Sequence, residues 1–202
     1  MDKRKEEIIE VALKRFSHYG FSKTTMNEIA EDLHITKANL YYYYQDKSAL
    51  IKDSIYVVGK ALYAAEEEIL SNYSGDFMDT VFKSLELRAS FMRRYYMLHI
   101  NENLEWIKGV DIAQVMEEFL QRDIQVVKRF FTLAVEAGDL VLEDIEEASI
   151  AYVEISKSIS FMHNAQDIIT GIPNKDNVTR ILESQKRAAQ LIFEKRIVTH
   201  TK

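Results

Sequence analysis

The sequence predicts an all-α protein, and three observations predict it. One proline and six glycines in 202 residues are few against typical usage of roughly 5% and 7%, and a β-rich fold draws heavily on both for its turns. Apolar residues recur at i, i+3, i+4 and i+7 along most of the chain, and no segment sustains a period-2 alternation for long. Gly20, Gly75, Gly109, Gly138 and the Gly171-Ile172-Pro173-Asn174 stretch each follow such a pattern, where helix stop signals belong.

The elements follow in order. A first helix over about 4–19 sets Ile8, Ile9, Ala12, Leu13 and Phe16 on one stripe, and a second over about 26–33 sets Met26, Ile29, Ala30 and Leu33 at helical spacing. Thr25 with Glu28 three residues on forms a capping box at its start. Thr36 caps a third short helix over about 37–44, with Ile35 placed to staple onto Leu40. A long fourth helix runs from Lys47 to about Ser71 with Gly59 inside it, and further helices are expected at about 76–98, 102–108, 112–137, 144–170 and 176–196. Two short helices joined by about three residues make a helix-turn-helix unit, whereas the long helices with wide apolar faces read as a bundle. The chain divides on this reading into residues 1–52, a three-helix domain, and residues 53–202, a larger helical domain.

Composition narrows the chemistry. Without cysteine there is no disulfide framework, thiolate metal site or cysteine nucleophile. The longest uncharged stretch, Ser158–Gln166, has nine residues, against about 20 for a membrane-spanning helix. The N-terminus, Met1-Asp2-Lys3-Arg4-Lys5-Glu6-Glu7, lacks the apolar segment of a secretory signal, so a cytoplasmic protein is expected. The net charge of −6 argues against a protein that coats nucleic acid with its whole surface. The negative charge lies in one part: residues 1–52 hold nine Lys/Arg and eight Asp/Glu, and residues 53–202 hold 17 and 24.

The third helix carries the strongest functional signal. At about 100° per residue, with Leu40 as origin, Tyr44 falls on the buried side, while Ala38, Asn39 and Tyr42 face away from the core. Tyr41, Tyr43 and Lys37 lie on the flanks. A small residue, an amide and several aromatics on an exposed face suit a DNA major groove, where Asn pairs bidentately with adenine and apolar atoms meet the thymine methyl. Flanking tyrosine hydroxyls are placed for phosphate oxygens. Lys47, a cation at a helix start that the macrodipole disfavours, would be accommodated by a phosphate there. Lys3, Arg4 and Lys5, read as lying ahead of the first helix, are placed to add backbone or minor-groove contacts.

Residues 8–52 resemble the DNA-binding domain of the TetR family of bacterial transcriptional regulators. The resemblance rests on Phe16, Tyr19-Gly20-Phe21, Thr24-Thr25, Ile29-Ala30, Thr36-Lys37, Leu40-Tyr41-Tyr42-Tyr43-Tyr44, Lys47 and Leu50, in register. Two residues depart from the pattern: His34 stands where the family usually has a turn glycine, and Tyr44 where it has phenylalanine. Histidine tolerates a positive φ at modest cost, and Tyr44 needs an outlet for its hydroxyl. The resemblance implies that Thr25, Tyr41, Tyr43 and Lys47 bind phosphates and that Lys37, Ala38, Asn39 and Tyr42 face base edges, and Thr36 is counted with them as a DNA-binding residue. It further implies a repressor that binds a near-palindromic operator in double-stranded DNA as a homodimer, its recognition helices about 34 Å apart, and that a small-molecule effector releases.

For the second domain the resemblance assigns the last two long helices to the dimer surface. Tyr152, Ile155 and Ile159 on one, and Ile181, Gln185, Ala188, Ala189 and Ile192 on the other, are the expected contacts. An apolar pocket with a few polar groups is expected among the middle helices, lined by Phe91, Tyr95, Tyr96, His99, Asn103, Trp106, Phe119, Phe130, Met162 and His163. Rival classes fare worse. A carboxylate di-iron bundle needs two Glu-x-x-His motifs, and the one present, Glu31-Asp32-Leu33-His34, ends in the proposed turn. There is no His-Glu-x-x-His, Gly-rich phosphate loop or Gly-x-Ser-x-Gly, so neither an enzyme, a metal site nor a cofactor is expected. The remaining alternative is a helical protein-interaction module without DNA binding, which the acidic total allows and the polar face of the third helix opposes.

Overall fold

The computed structural model describes residues 2–96, 112–170 and 172–198, with the side chains of 112 and 113 excepted. The described helices are α1 (Lys3–Lys23), α2 (Met26–Asp32), α3 (Lys37–Tyr43), α4 (Lys47–Ser71), α5 (Phe77–Arg94), α6 (Ile112–Glu136), α7 (Ile145–Thr170) and α8 (Asp176–Phe193). The helix expected at 102–108 lies outside the described residues. The first helix runs further than its glycine suggested: Gly20 sits at φ 83°, and a last turn continues beyond this kink to Lys23. Thr24 ties the turn down, its hydroxyl donating to the Gly20 carbonyl at 2.9 Å.

Two apolar cores organise the chain. In the first, α1, α2, α3 and the start of α4 bury Ile8, Phe16, Ile29, Leu40 and Leu50 completely, each such side chain contributing about 1.5–3 kcal/mol relative to exposure. Ala30, only 3% exposed, is small enough for helices to cross closely at that point. In the second, Phe77 stacks on Phe130 at 5.1 Å and meets Phe193 edge-on at 4.9 Å, joining α5, α6 and α8. Tyr152 of α7 packs on Phe131 and Phe193. An isolated antiparallel bridge between Leu140 and Ile197 fastens the end of the described chain to the α6–α7 connection.

Helix α4 belongs to both cores. Leu50 and Ile51 lie in the first and Leu70 in the second, along an uninterrupted helix of 25 residues. A continuous helix is rigid over this length, so a tilt of its far end is passed to the three short helices.

An ionic cluster lies inside the second part. Arg88 of α5 donates to both oxygens of Glu66 on α4, at 2.5 and 2.8 Å, and to Asp123 of α6 at 3.0 Å. Lys157 of α7 pairs with Asp123 at 2.7 Å, and the Tyr63 hydroxyl donates to the same carboxylate at 3.1 Å. Burial pushes the Asp123 carboxyl up, but Arg88 and Lys157 outweigh it and hold the group below the usual carboxylate range. The cluster links four helices through charges that are buried only because they are paired.

Candidate nucleic-acid interface

The helix-turn-helix unit is built from local caps. Thr25 Oγ1 accepts from the Glu28 amide at 3.3 Å, while Glu28 Oε2 accepts from the Thr25 amide at 2.7 Å and from its hydroxyl at 2.8 Å. These bonds hold the Glu28 carboxyl below its ordinary range. Arg15 on α1 braces the same helix from the side, pairing with Asp32 at 2.6 Å and Glu28 at 3.3 Å. The turn to α3 passes through His34 at φ 53°, the left-handed conformation its position demands. Thr36 then caps α3, its hydroxyl oxygen accepting from the Asn39 amide at 3.2 Å.

This frame presents one face of α3. Leu40 is fully buried and Tyr44 is 3% exposed, which fixes the rotation of the helix. Ala38 and Asn39 are consequently exposed, and Tyr42 projects with 83% of its surface accessible. Tyr41 is 38% exposed, with the Lys37 ammonium 5.7 Å from its ring centroid. Tyr43 is half-buried and meets Tyr42 edge-on at 5.2 Å. Thr25, Thr36 and Lys37 are exposed beside them. The Tyr44 hydroxyl finds its outlet on Asp53 of α4, donating at 3.0 Å, and burial pushes its pKa up.

Lys47 occupies a different environment from the one its position suggests. Asp46, not an external anion, caps α4, its carboxylate accepting from the Ala49 amide at 2.8 Å. The Lys47 ammonium turns back and donates to the carbonyls of Phe21 at 2.7 Å and Thr24 at 2.8 Å. Burial lowers its pKa. It therefore binds the start of α4 to the α1–α2 corner. The basic triplet is likewise inside α1: Asp2 caps the helix, Arg4 pairs with Glu7 at 2.6 Å, and the Lys5 ammonium lies 5.2 Å from the Tyr44 ring centroid.

The described residues among those expected to line a pocket lie apart from one another, Phe91 and Tyr95 excepted. Phe130 belongs to the aromatic core at 6% exposure, and Met162 points outward at 62%. Tyr96 is buried as a pin, its hydroxyl donating to Asp167 at 2.5 Å with the Asn174 carbonyl oxygen 2.7 Å away. His163 meets Ser184 at 3.1 Å, Phe91 packs beside Tyr95 at 6.1 Å, and Phe119 lies against Tyr56 and Tyr63. His99, Asn103 and Trp106 fall outside the described residues.

The expected dimer stripe is also corrected in part. Ile181 and Ala189 are 2% and 0% exposed within one chain, so they face its own core. Tyr152 packs on that core too, and Gln185 donates across to the Ser156 carbonyl at 3.0 Å. Ile159, Ala188 and Ile192 are half-buried, while Ile155 is exposed. The apolar residues that do face outward on α7 and α8 are Ile155, Phe161, Met162, Ile169 and Leu191.

Asp46, Arg15 and the Arg88 cluster were missed from the sequence. Asp46 had a signal, since aspartate before a helical run is a preferred cap. Arg15 and Arg88 act on partners 13 or more residues away, and no local pattern marks them.

Comparison with known proteins agrees with this geometry. Residues 8–53 match the family model for bacterial regulatory proteins of the tetR family. Over 51 residues, a quarter of this chain, the sequence is 35% identical to the probable acrEF/envCD operon repressor of Escherichia coli K12 and 37% identical to the biofilm operon icaADBC negative regulator IcaR of Staphylococcus epidermidis. These matches span 23% and 28% of the two relatives, so the likeness in sequence covers about a quarter of their length. In fold it extends further. A transcriptional regulator from Cytophaga hutchinsonii superposes with a TM-score of 0.85 at 23% identity, covering 98% of this chain and all of the other. A regulator from Saccharomonospora viridis, solved in complex with choline, superposes with a TM-score of 0.70 at 15% identity, covering 99% of this chain and all of the other. Residues 8–53 are therefore similar to the helix-turn-helix segment of the tetR family of bacterial regulatory proteins, and the chain as a whole shares its helical fold with solved regulators.

Proposed function

We propose that the protein is a transcriptional repressor that binds a near-palindromic DNA operator as a homodimer and is released by a small-molecule effector. The observation that carries the reading is the outward trio of Ala38, Asn39 and Tyr42, held in place by the burial of Leu40 and Tyr44 behind it. Asn39 and Tyr42 read base edges in the major groove. Thr25, Tyr41 and Tyr43 supply phosphate contacts from the flanks, which position the helix without reading sequence. Lys47 supports this surface by fixing the α1–α2 corner and adds positive charge near the phosphates. Residues 1–52 are the DNA-reading head and residues 53–202 the effector-binding and dimerising body, with α4 joining them. The regulators named above support the repressor sense, and the choline complex of the Saccharomonospora protein supports a body that accommodates a small molecule. A cytoplasmic location follows from the DNA target.

Selection of bound fragments from a random DNA pool tests the reading. Enriched fragments should carry two related half-sites about one helical turn apart, or a multiple of that spacing. Asn39→Ala should then lose about 1–3 kcal/mol of discrimination at one base pair per half-site. No salt-dependent binding to any fragment would leave an interaction module without DNA binding as the better account.

A further inference from the structure

A solvent-open cleft of about 650 Å³ lies between α4 and α6. Tyr56, Tyr63 and Phe119 give it aromatic walls, the two tyrosine rings lying 5.7 and 6.2 Å from that of Phe119. The Phe119 ring reaches the α4 backbone because residue 59 is glycine: a Cβ there would stand 2.5 Å from Phe119 Cε1. The polar lining is unequal in charge, with Lys60, Arg122 and Arg129 against Glu67 and Glu118. Both carboxylates are already engaged. Arg129 pairs with Glu67 at 2.6 Å, and Glu118 accepts from the Tyr56 hydroxyl and from Gln114. Lys60 and Arg122 are exposed and meet no carboxylate among the described residues. The tyrosine rings also carry cations of the chain itself, Arg122 at 5.7 Å from Tyr63 and Lys52 at 5.9 Å from Tyr56. A cationic guest would therefore meet repulsion, and an anion would complete the charge.

We propose that this cleft binds a small planar organic anion, an aromatic carboxylate, with Arg122 and Lys60 holding the carboxylate and Tyr56, Phe119 and Tyr63 offering surface to the ring. Its site is the helix that enters the DNA-reading head: Tyr56 and Lys60 lie on α4 less than three turns beyond Leu50 and Ile51 of the first core. A ligand that prefers one inclination of α4 to another shifts operator affinity by that preference. The regulatory meaning rests on the function proposed above; the binding itself does not.

The test is a calorimetric titration of naphthalene-2-carboxylate into the whole chain without DNA. One saturable site per chain is expected. Affinity should fall at least tenfold in the double variant Arg122→Gln, Lys60→Gln, and be retained in Arg122→Lys. 2-Naphthylmethanol, which has the ring system without the charge, should bind at least tenfold more weakly. Thermal melting checks that the variants fold, and the alcohol comparison on the unaltered chain stands apart from them. No binding to the unaltered chain, equal affinity in a folded double variant, equal binding of the alcohol, or tighter binding of choline would each overturn the proposal. Because DNA is absent, these outcomes leave the DNA-binding reading untouched, and failure to select DNA leaves the cleft untouched.

Discussion

His34 is a residue whose cost is visible in its backbone. At φ 53° it holds a conformation that costs an L-residue roughly 1–2 kcal/mol and glycine almost nothing. Glycine loses part of that gain through its freer unfolded chain. His34→Gly should therefore stabilise the protein by about 0.5–1 kcal/mol, read as a higher denaturant midpoint at unchanged slope. Tyr44 makes the opposite case. Its buried hydroxyl satisfies Asp53, and Tyr44→Phe should cost about 1–2 kcal/mol while leaving Leu40 packed and the outward face of α3 unmoved. Circular dichroism and denaturant melts would check both; a destabilised His34→Gly would mean the histidine ring makes a contact of its own. These positions were legible because their physics is local. A positive φ is dictated by the turn, and a capping box by two residues three apart. Lys47 was not fully legible, because its carbonyl partners lie 26 and 23 residues earlier in the chain.

At the scale of elements, helix period was readable almost everywhere, whereas what each face meets was not. The stripe on α8 containing Ile181, Leu182 and Ala189 was real, but it faces α5 and α7 of the same chain. The ionic cluster shows the same limit. Glu66, Arg88, Asp123 and Lys157 come from four helices, and each alone resembles a surface charge. Removing Arg88 should expose the interdependence. Arg88→Met leaves Glu66 and Asp123 buried without their shared cation and should cost about 3–5 kcal/mol at neutral pH. The pH dependence should weaken as well. In the intact protein the depressed Asp123 pKa gives stability that is complete above about pH 4, the unfolded value, and is lost as pH falls through the folded one. In Arg88→Met Lys157 alone opposes the burial of Asp123, so that pKa moves up towards its unfolded value and less stability should be lost from pH 5 to pH 3. Urea midpoints at the two pH values measure this; a variant that weakens on acidification in parallel with the parent would refute the assignment.

At the scale of the whole molecule, the proposed function turns on how two heads would be held together. On that proposal a single α3 reads one half-site, and linking two heads would raise operator affinity by roughly 10²–10⁴-fold without any new contact. The outward apolar stripe of α7 is the surface available for that purpose: Ile155, Met162 and Ile169 recur every seven residues at 40%, 62% and 83% exposure, with Phe161 on its flank and Leu191 of α8 exposed on the adjoining helix. Seven-residue spacing keeps such a stripe on one side of a helix, as packing against a second helix requires. Met162→Glu combined with Ile155→Glu should leave each chain folded, because neither side chain belongs to its core, yet yield monomers in sedimentation equilibrium. Operator affinity should fall by at least about 100-fold, the loss of linkage, with sequence preference within each half-site retained. Ile181→Ala is the matching control. That residue is 2% exposed in the chain's own core, so its loss should cost about 2–5 kcal/mol of stability while the folded protein remains dimeric. A doubly charged α7 variant that still sediments as a dimer would move the interface away from this stripe, and an Ile181→Ala protein that is folded but monomeric would return it to the buried face of α8.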